Sequence, residues 1–357
     1  MRKFALNGNK VIYIENINPS IELNLGLFLK IIKRLMRILV KHEYTKDDPN
    51  ITIITPLIIP VKNKLADLIN KKILIKLLAR NIRSRGIKNP VIWTYLATST
   101  AIKLIDDLKP KTLIYDCVFD APIHPASPKD IVESENKLIK SADIVFTDNH
   151  YLYNKCININ PKTHIINPGV DFNLFALTEN IKNKELLFDV KKPIICFFGG
   201  IDEIRIDLGL IRYIARNKPN WSILLLGPVI KTNIEILKLT NIFFKGTVKH
   251  EELPLYLKET DVLILPYKII PFSRSIFPAK IFECFATSKP IVATPLEELS
   301  LFKEIIKIAQ TKEDFLKGIE DSLMLDDQKS KNARLKIARD NSWDTKFQEI
   351  TKIMESI

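Results

Sequence analysis

Two short segments in the second half of the chain carry residue types suited to holding an anion. Phe197-Phe198-Gly199-Gly200-Ile201-Asp202 is a β-rich run ending in paired glycines, with Arg205, Asp207 and a helical pattern just beyond. Glycines after a strand let backbone N–H groups approach an anion, and a helix start adds the positive end of its dipole. The same run also reads as a plain tight turn. Downstream, Ser273-Arg274-Ser275 leads to Pro278-Ala279-Lys280-Ile281-Phe282-Glu283. Pro278 suits the first turn of a helix, where its missing donor costs nothing, and Lys280 and Glu283, three apart, share one helical face. One reading is a surface ion pair worth little. The other is that Arg274 and Lys280 hold a diphosphate while Glu283 accepts hydrogen bonds from vicinal ribose hydroxyls.

In the first half, Tyr115-Asp116-Cys117-Val118-Phe119-Asp120 places Asp116 and Asp120 at a strand end, with His124 close behind. A carboxylate or imidazole there could orient an acceptor hydroxyl. Asp116 could equally cap a strand-to-helix turn, and His124, beside Pro125, could be a loop histidine.

The elements that must position these residues alternate in type. Strand-like runs at Lys10 to Glu15, Ile51 to Thr55, Val91 to Thr94, Thr112 to Tyr115, Ile144 to Thr147 and His164 to Ile166 are separated by helical patterns such as Thr98 to Leu108 and Ser127 to Lys140. A second series follows a polar stretch near Thr178 to Lys192: Ile194 to Phe198, Ser222 to Leu226, Ile242 to Lys245, Val262 to Pro266 and Pro290 to Ala293, with helices at Leu208 to Asn217, Leu253 to Thr260 and Pro278 to Ala286. Alternation of this kind predicts parallel sheets covered by helices, an α/β class with two Rossmann-like, doubly wound domains and a ligand cleft between them. The expected divisions are 1–178, 179–330 and a C-terminal helix, 331–357, returning to the first domain. Met1 to Gly8 reads as the tail of a helix, so the first strand and most of its helix are expected to be missing from the first domain.

Bulk properties narrow the partners. The 357 residues are enough for two cores, and 46% apolar with 27% charged residues is an ordinary folded composition. Cys117, Cys156, Cys196 and Cys284 are far apart and match no metal or redox spacing. No apolar run reaches the roughly 20 residues that span a bilayer. The N-terminus lacks the order of a signal peptide, so a cytoplasmic location is expected. The net charge of +13 points to an anionic partner. Lys30 to Lys41 (KIIKRLMRILVK) and Lys71 to Arg85 (KKILIKLLARNIRSR) read as basic amphipathic helices, either solvated faces packed on a sheet or contacts to an anionic membrane surface. Their basic residues are interleaved with aliphatics rather than aromatics, and no nucleic-acid motif accompanies them, so nucleic acid is not expected.

Taken together in order, several stretches resemble the retaining GT-B glycosyltransferases of glycosyltransferase family four, and more closely their teichuronic-acid or exopolysaccharide type. They are Ile166-Asn167-Pro168-Gly169-Val170-Asp171, Gly199 to Asp202, Leu226-Gly227-Pro228, Gly246 through Glu252 to Asp261, Arg274 to Glu283, Lys289 to Leu296 and Asn341-Ser342-Trp343. The resemblance implies a transferase moving a hexosyl-type sugar, with retention, from a nucleoside diphosphate sugar to a glycan or lipid-linked acceptor in cell-surface polysaccharide synthesis. It implies that Arg205, Arg274 and Lys280 face the donor diphosphate, that Glu283 binds ribose, and that Gly227 and Gly246 lie near the nucleobase. The family's partner glutamate aligns with Ser275, and Gly200 replaces an arginine common in relatives. Cationic side chains stabilise the leaving phosphate in such a reaction, so neither metal nor cofactor is expected. A nucleotide-sugar epimerase on the same scaffold, or a degenerate relative that binds without catalysis, are the competing readings.

Overall fold

The computed structural model describes residues 1–15, 44–45, 48–59, 64–123, 130–176, 190–230 and 232–357. His124 and the basic segment 30–41 lie outside the described residues. Two compact units are present. The first comprises Met1–Thr147, Leu152–Ile165 and Ile357, and the second Asp148–Tyr151 and Ile166–Ser356.

In the first unit, β1 (Val11–Ile14) pairs in parallel with β3 (Asp48–Ile54), which pairs antiparallel with β2 (Tyr44–Thr45). A second sheet has four parallel strands in the order β4 (Val91–Thr94), β5 (Thr112–Cys117), β6 (Ile144–Thr147) and β7 (Thr163–Ile165). All four residues of β6 are buried, as expected of a parallel strand covered on both faces. A helical stretch from Lys64 to Ser84 runs as Lys64–Ile69, a π-helical turn Asn70–Leu74, and Ile75–Ser84. It buries Ile75, Leu78, Ala79 and Ile82 against Ala101, Leu104 and Leu108 of the helix Ser99–Leu108.

The second unit holds one parallel sheet of six strands. Its order is β10 (Ile242–Gly246), β9 (Ser222–Leu226), β8 (Ile194–Phe198), β11 (Val262–Leu265), β12 (Ile291–Ala293) and β13 (Lys307–Ile308). The central strands are aliphatic and aromatic apart from Cys196 and Ser222, and buried at every position, so their burial is worth roughly 1.5–3 kcal/mol per large side chain. Strand order reverses between β8 and β11, which creates a topological switch point at their carboxyl ends. Helix starts are fixed locally: Asp207 caps Leu208–Asn217 by accepting from Leu210 N at 2.8 Å, and Thr311 with Asp314 forms a capping box on Lys312–Met324.

The segment after β7 belongs to this unit because Val170 bridges Ser342. Val170 N donates to Asn341 O, and Trp343 N to Val170 O, each at 3.0 Å. The helices Gln328–Asp340 and Trp343–Glu355 fall in the same unit. Arg334, 2% exposed, anchors the former through Asp326 at 2.6 Å and the carbonyls of Ser288 and Ile305.

Candidate donor site

A cavity of about 470 Å³ opens at the carboxyl ends of β8 and β11, wholly within the second unit. That volume is of the order expected for a small-molecule site. Its floor is the turn after β8. Gly199 has φ +123°, and a Cβ there would collide with Lys280 Nζ. Gly227, φ +140°, lies so close that its own Cβ would collide with the Gly199 carbonyl. The two glycines thus permit a close backbone approach, tied by Gly199 N to Leu226 O at 2.8 Å and Gly227 N to Gly246 O at 2.7 Å.

Lys280 stands at the start of the short helix Ile281–Ala286. Its ammonium donates to Phe198 O and sits 4.2 Å over the Phe197 ring, with the Phe198 and Tyr267 rings at 5.5 and 5.9 Å. Burial lowers its pKa to about 8, only partly opposed by the neighbouring Cys284 and Glu283. Among the described residues no carboxylate lies within ion-pair distance of it, so its remaining N–H donors are available to an anion. The i,i+3 ion pair with Glu283 that the spacing allowed is therefore not what forms.

Glu283 pairs with His250 instead, Oε1 to Nε2 at 3.1 Å. Burial raises the Glu283 pKa, and His250 and Lys280 pull it back. His250 opens the turn after β10 and sets its ring edge-on to Phe175, centroids 5.1 Å apart. Arg205 is held by Asp202, with Nη2 to Oδ2 at 2.6 Å and Nε to Oδ2 at 2.8 Å. Asp202 also accepts from Arg205 N at 2.9 Å, and this local clamp fixes the guanidinium at the cavity edge. The opposite wall is Gly169 under the Trp343 indole, where a Cβ would lie 2.8 Å from Cδ2.

Of the residues singled out in the sequence, Gly199, Gly200, Arg205, Lys280 and Glu283 line this cavity, and Gly227 supports its floor. Gly246 has φ +68° with open space beside it. Arg274 is exposed in the turn Pro271–Ser275 and is not among the lining residues. Ser275 is fully buried, donating to Phe272 O at 2.9 Å and receiving Asn149 Nδ2 at its carbonyl. His250, Asp202 and Trp343 join the site although no role was read for them. The one signal for His250 is its position four residues beyond the Gly246 that ends a strand.

In the first unit, the Trp93 indole donates to Asp116 Oδ2 at 3.0 Å. Burial raises the Asp116 pKa and this hydrogen bond lowers it. Asp120 is buried and meets Lys155 at 2.7 Å, which also meets Glu135 at 2.6 Å. Burial alone would lower the Lys155 pKa, but hydrogen bonds to Asp120 and Glu135 outweigh it and leave it raised. Tyr115 completes the network, its hydroxyl donating to Glu135 at 2.9 Å.

Residues 192–323, which contain Gly199, Gly200, Arg205, Gly227, Gly246, Arg274, Lys280 and Glu283 but not Gly169 or Trp343, match the family model described as "Glycosyl transferases group 1". A Bacillus subtilis (strain 168) protein named "Putative teichuronic acid biosynthesis glycosyltransferase TuaH" is 29% identical over 262 residues, covering 67% of this chain and 66% of that protein. The match thus spans just under two thirds of the relative's length. Anabaena Alr3699/HepE, solved in complex with UDP and glucose, superposes with a TM-score of 0.68 at 15% identity over 98% of this chain and 100% of that one. The fold is GT-B. A glycosyltransferase from Rickettsia africae ESF-5 has the same architecture, with a TM-score of 0.67 at 14% identity and 98% of each chain covered. The two sequence matches are similarities of part of the chain to glycosyltransferases. Among the described residues no helix is long and apolar enough to cross a membrane, and no group of three or more His, Cys, Asp or Glu could hold a metal ion.

Proposed function

We propose that the protein is a glycosyltransferase whose second unit binds a nucleoside diphosphate sugar. The observation that carries this is the Lys280 ammonium, without an ion-pair partner among the described residues, beside a glycine floor in the same cavity as Arg205 and Glu283. Lys280 and Arg205 neutralise the diphosphate, the Gly199-Gly200 backbone lets it approach, and Glu283 accepts from the ribose hydroxyls, displacing His250. Uridine diphosphate is the first donor nucleotide to try, because the structurally similar Anabaena protein was solved with UDP and glucose. The sugar passes with retention to a glycan or lipid-linked acceptor, as the resemblance to family four implies, and the similarity to a protein named for teichuronic acid biosynthesis supports a cell-surface polysaccharide as the product. Charge building on the leaving phosphate is met by fixed cations rather than by a metal. Asp116 is the residue of the first unit assigned to the acceptor, whereas Asp120 is committed to its bridge with Lys155.

The test is Glu283→Ala, followed by calorimetric titration with UDP. Loss of a charge-assisted pair of hydrogen bonds should weaken UDP on the order of tenfold to a hundredfold, with the melting temperature unchanged within about 2 °C. Undiminished UDP affinity would count against the site. The buried Ser275, where the resemblance places a sugar-contacting glutamate, favours a second reading as a binder without transfer. Tight UDP-sugar binding without turnover on any acceptor would support it.

A further inference from the structure

The helical stretch Lys64–Ser84 presents an apolar face that stays exposed among the described residues. Leu65, Leu68, Ile73 and Leu77 are 67, 47, 52 and 52% exposed. Their spacings are three, five and four residues. In a regular α-helix the step of five would throw Ile73 and Leu77 well around the cylinder from Leu65 and Leu68. The π-helical turn Asn70–Leu74 overlaps that step and absorbs the extra residue, bringing all four onto one stripe. Asn70 holds the turn from inside: it is fully buried, receives Ile59 N at 2.8 Å and donates to Ile59 O at 3.0 Å.

The same stretch is basic. Lys64, Lys72, Lys76 and Arg80 are exposed, and the one acid between Lys64 and Lys88, Asp67, is paired with Lys71 at 2.8 Å. An apolar stripe bordered by cations and bare of unpaired acids fits an anionic bilayer, where aliphatic tips enter the headgroup boundary and ammonium groups meet lipid phosphates. A nucleic acid would leave the aliphatics without a partner, and a copy of this face would oppose like charges. We propose that this face is a docking surface for anionic phospholipid, built by the π turn, and that it holds the protein flat against a membrane. The proposal does not depend on the donor site.

The test uses the full chain and vesicles of phosphatidylcholine with or without phosphatidylglycerol. Sedimentation should show at least tenfold tighter binding to the anionic vesicles, falling at least tenfold in L65S/L68S/I73S/L77S and in K72E/K76E/R80E. These positions are exposed, so circular dichroism should be unchanged. If a combined variant does not fold, Ile73→Trp reads the same surface: its emission should shift blue on anionic vesicles and be quenched by brominated lipid. Failure of the wild type to prefer anionic vesicles, unaltered binding by both combined variants, or an unshifted Ile73→Trp on vesicles that bind the protein would overturn the proposal. Nucleotide binding, read separately, should be unaffected by all of these substitutions.

Discussion

Raising the pH from 7 to 9 should weaken nucleoside diphosphate binding about tenfold, and a single ammonium should account for it. Burial places the free-protein pKa of Lys280 at about 8. A diphosphate beside it favours the charged form and raises that pKa in the complex, so the protonated form is the one that binds tightly. From the Lys280 value, about nine-tenths of the molecules are protonated at pH 7 and about one-tenth at pH 9, which gives the tenfold loss. Calorimetric titration of UDP across this range at fixed ionic strength measures it, with Lys280→Met as control: weaker throughout and without the slope. Linkage adds a second signature with a definite sign. The folded-state pKa lies below the unfolded value of 10.5, so the unfolded chain binds more protons between the two. Unliganded stability should therefore rise as pH climbs from about 8 towards 10, and this contribution should vanish in Lys280→Met. UDP affinity that stays flat to pH 9, or the same slope in Lys280→Met, would refute the reasoning.

Gly227→Ala should destabilise by about 2–4 kcal/mol in urea titrations, because its backbone is left-handed and its Cβ meets the Gly199 carbonyl. Gly246→Ala, also at positive φ but facing open space, should cost only about 1–2 kcal/mol. Lys155→Met should cost about 3–5 kcal/mol, since it removes the cation that faces the buried Asp120 and Glu135 carboxylates. Trp93→Phe should raise the Asp116 pKa further by removing its hydrogen bond, a change that carboxyl NMR titration can follow.

The strands were readable from sequence because parallel strands buried on both faces are near-continuous apolar runs, and Ile194–Phe198, residues 223–226 and Val262–Leu265 are such runs. The glycines at 199 and 227 were readable as backbone devices, but their mutual contact was not, since it depends on two strands lying side by side. Lys280 and Glu283 show the limit most clearly. Helical spacing paired them with each other, whereas tertiary packing sends the lysine to Phe198 O and the glutamate to His250, 33 residues earlier in the chain. Arg274 drew attention by its charge and by the resemblance, and neither says which way a turn residue faces. The π turn at Asn70–Leu74 has no compositional signature, and only the placement of Asn70 on the Ile59 backbone reveals it.

Thermal unfolding of the purified protein with a panel of nucleoside diphosphate sugars tests the central claim most directly, since a ligand that binds only the folded state stabilises it by mass action. At about a hundredfold excess over its Kd, the right donor should add roughly 2.7 kcal/mol and raise the Tm by several degrees. At the same ligand concentration the tenfold to hundredfold weaker Glu283→Ala should keep only about 0.4–1.4 kcal/mol of that stabilisation, and the increase should shrink likewise in Lys280→Met. An unmoved Tm across the whole panel, or a shift undiminished by both substitutions, would contradict the assignment of the second unit as a nucleotide-sugar site.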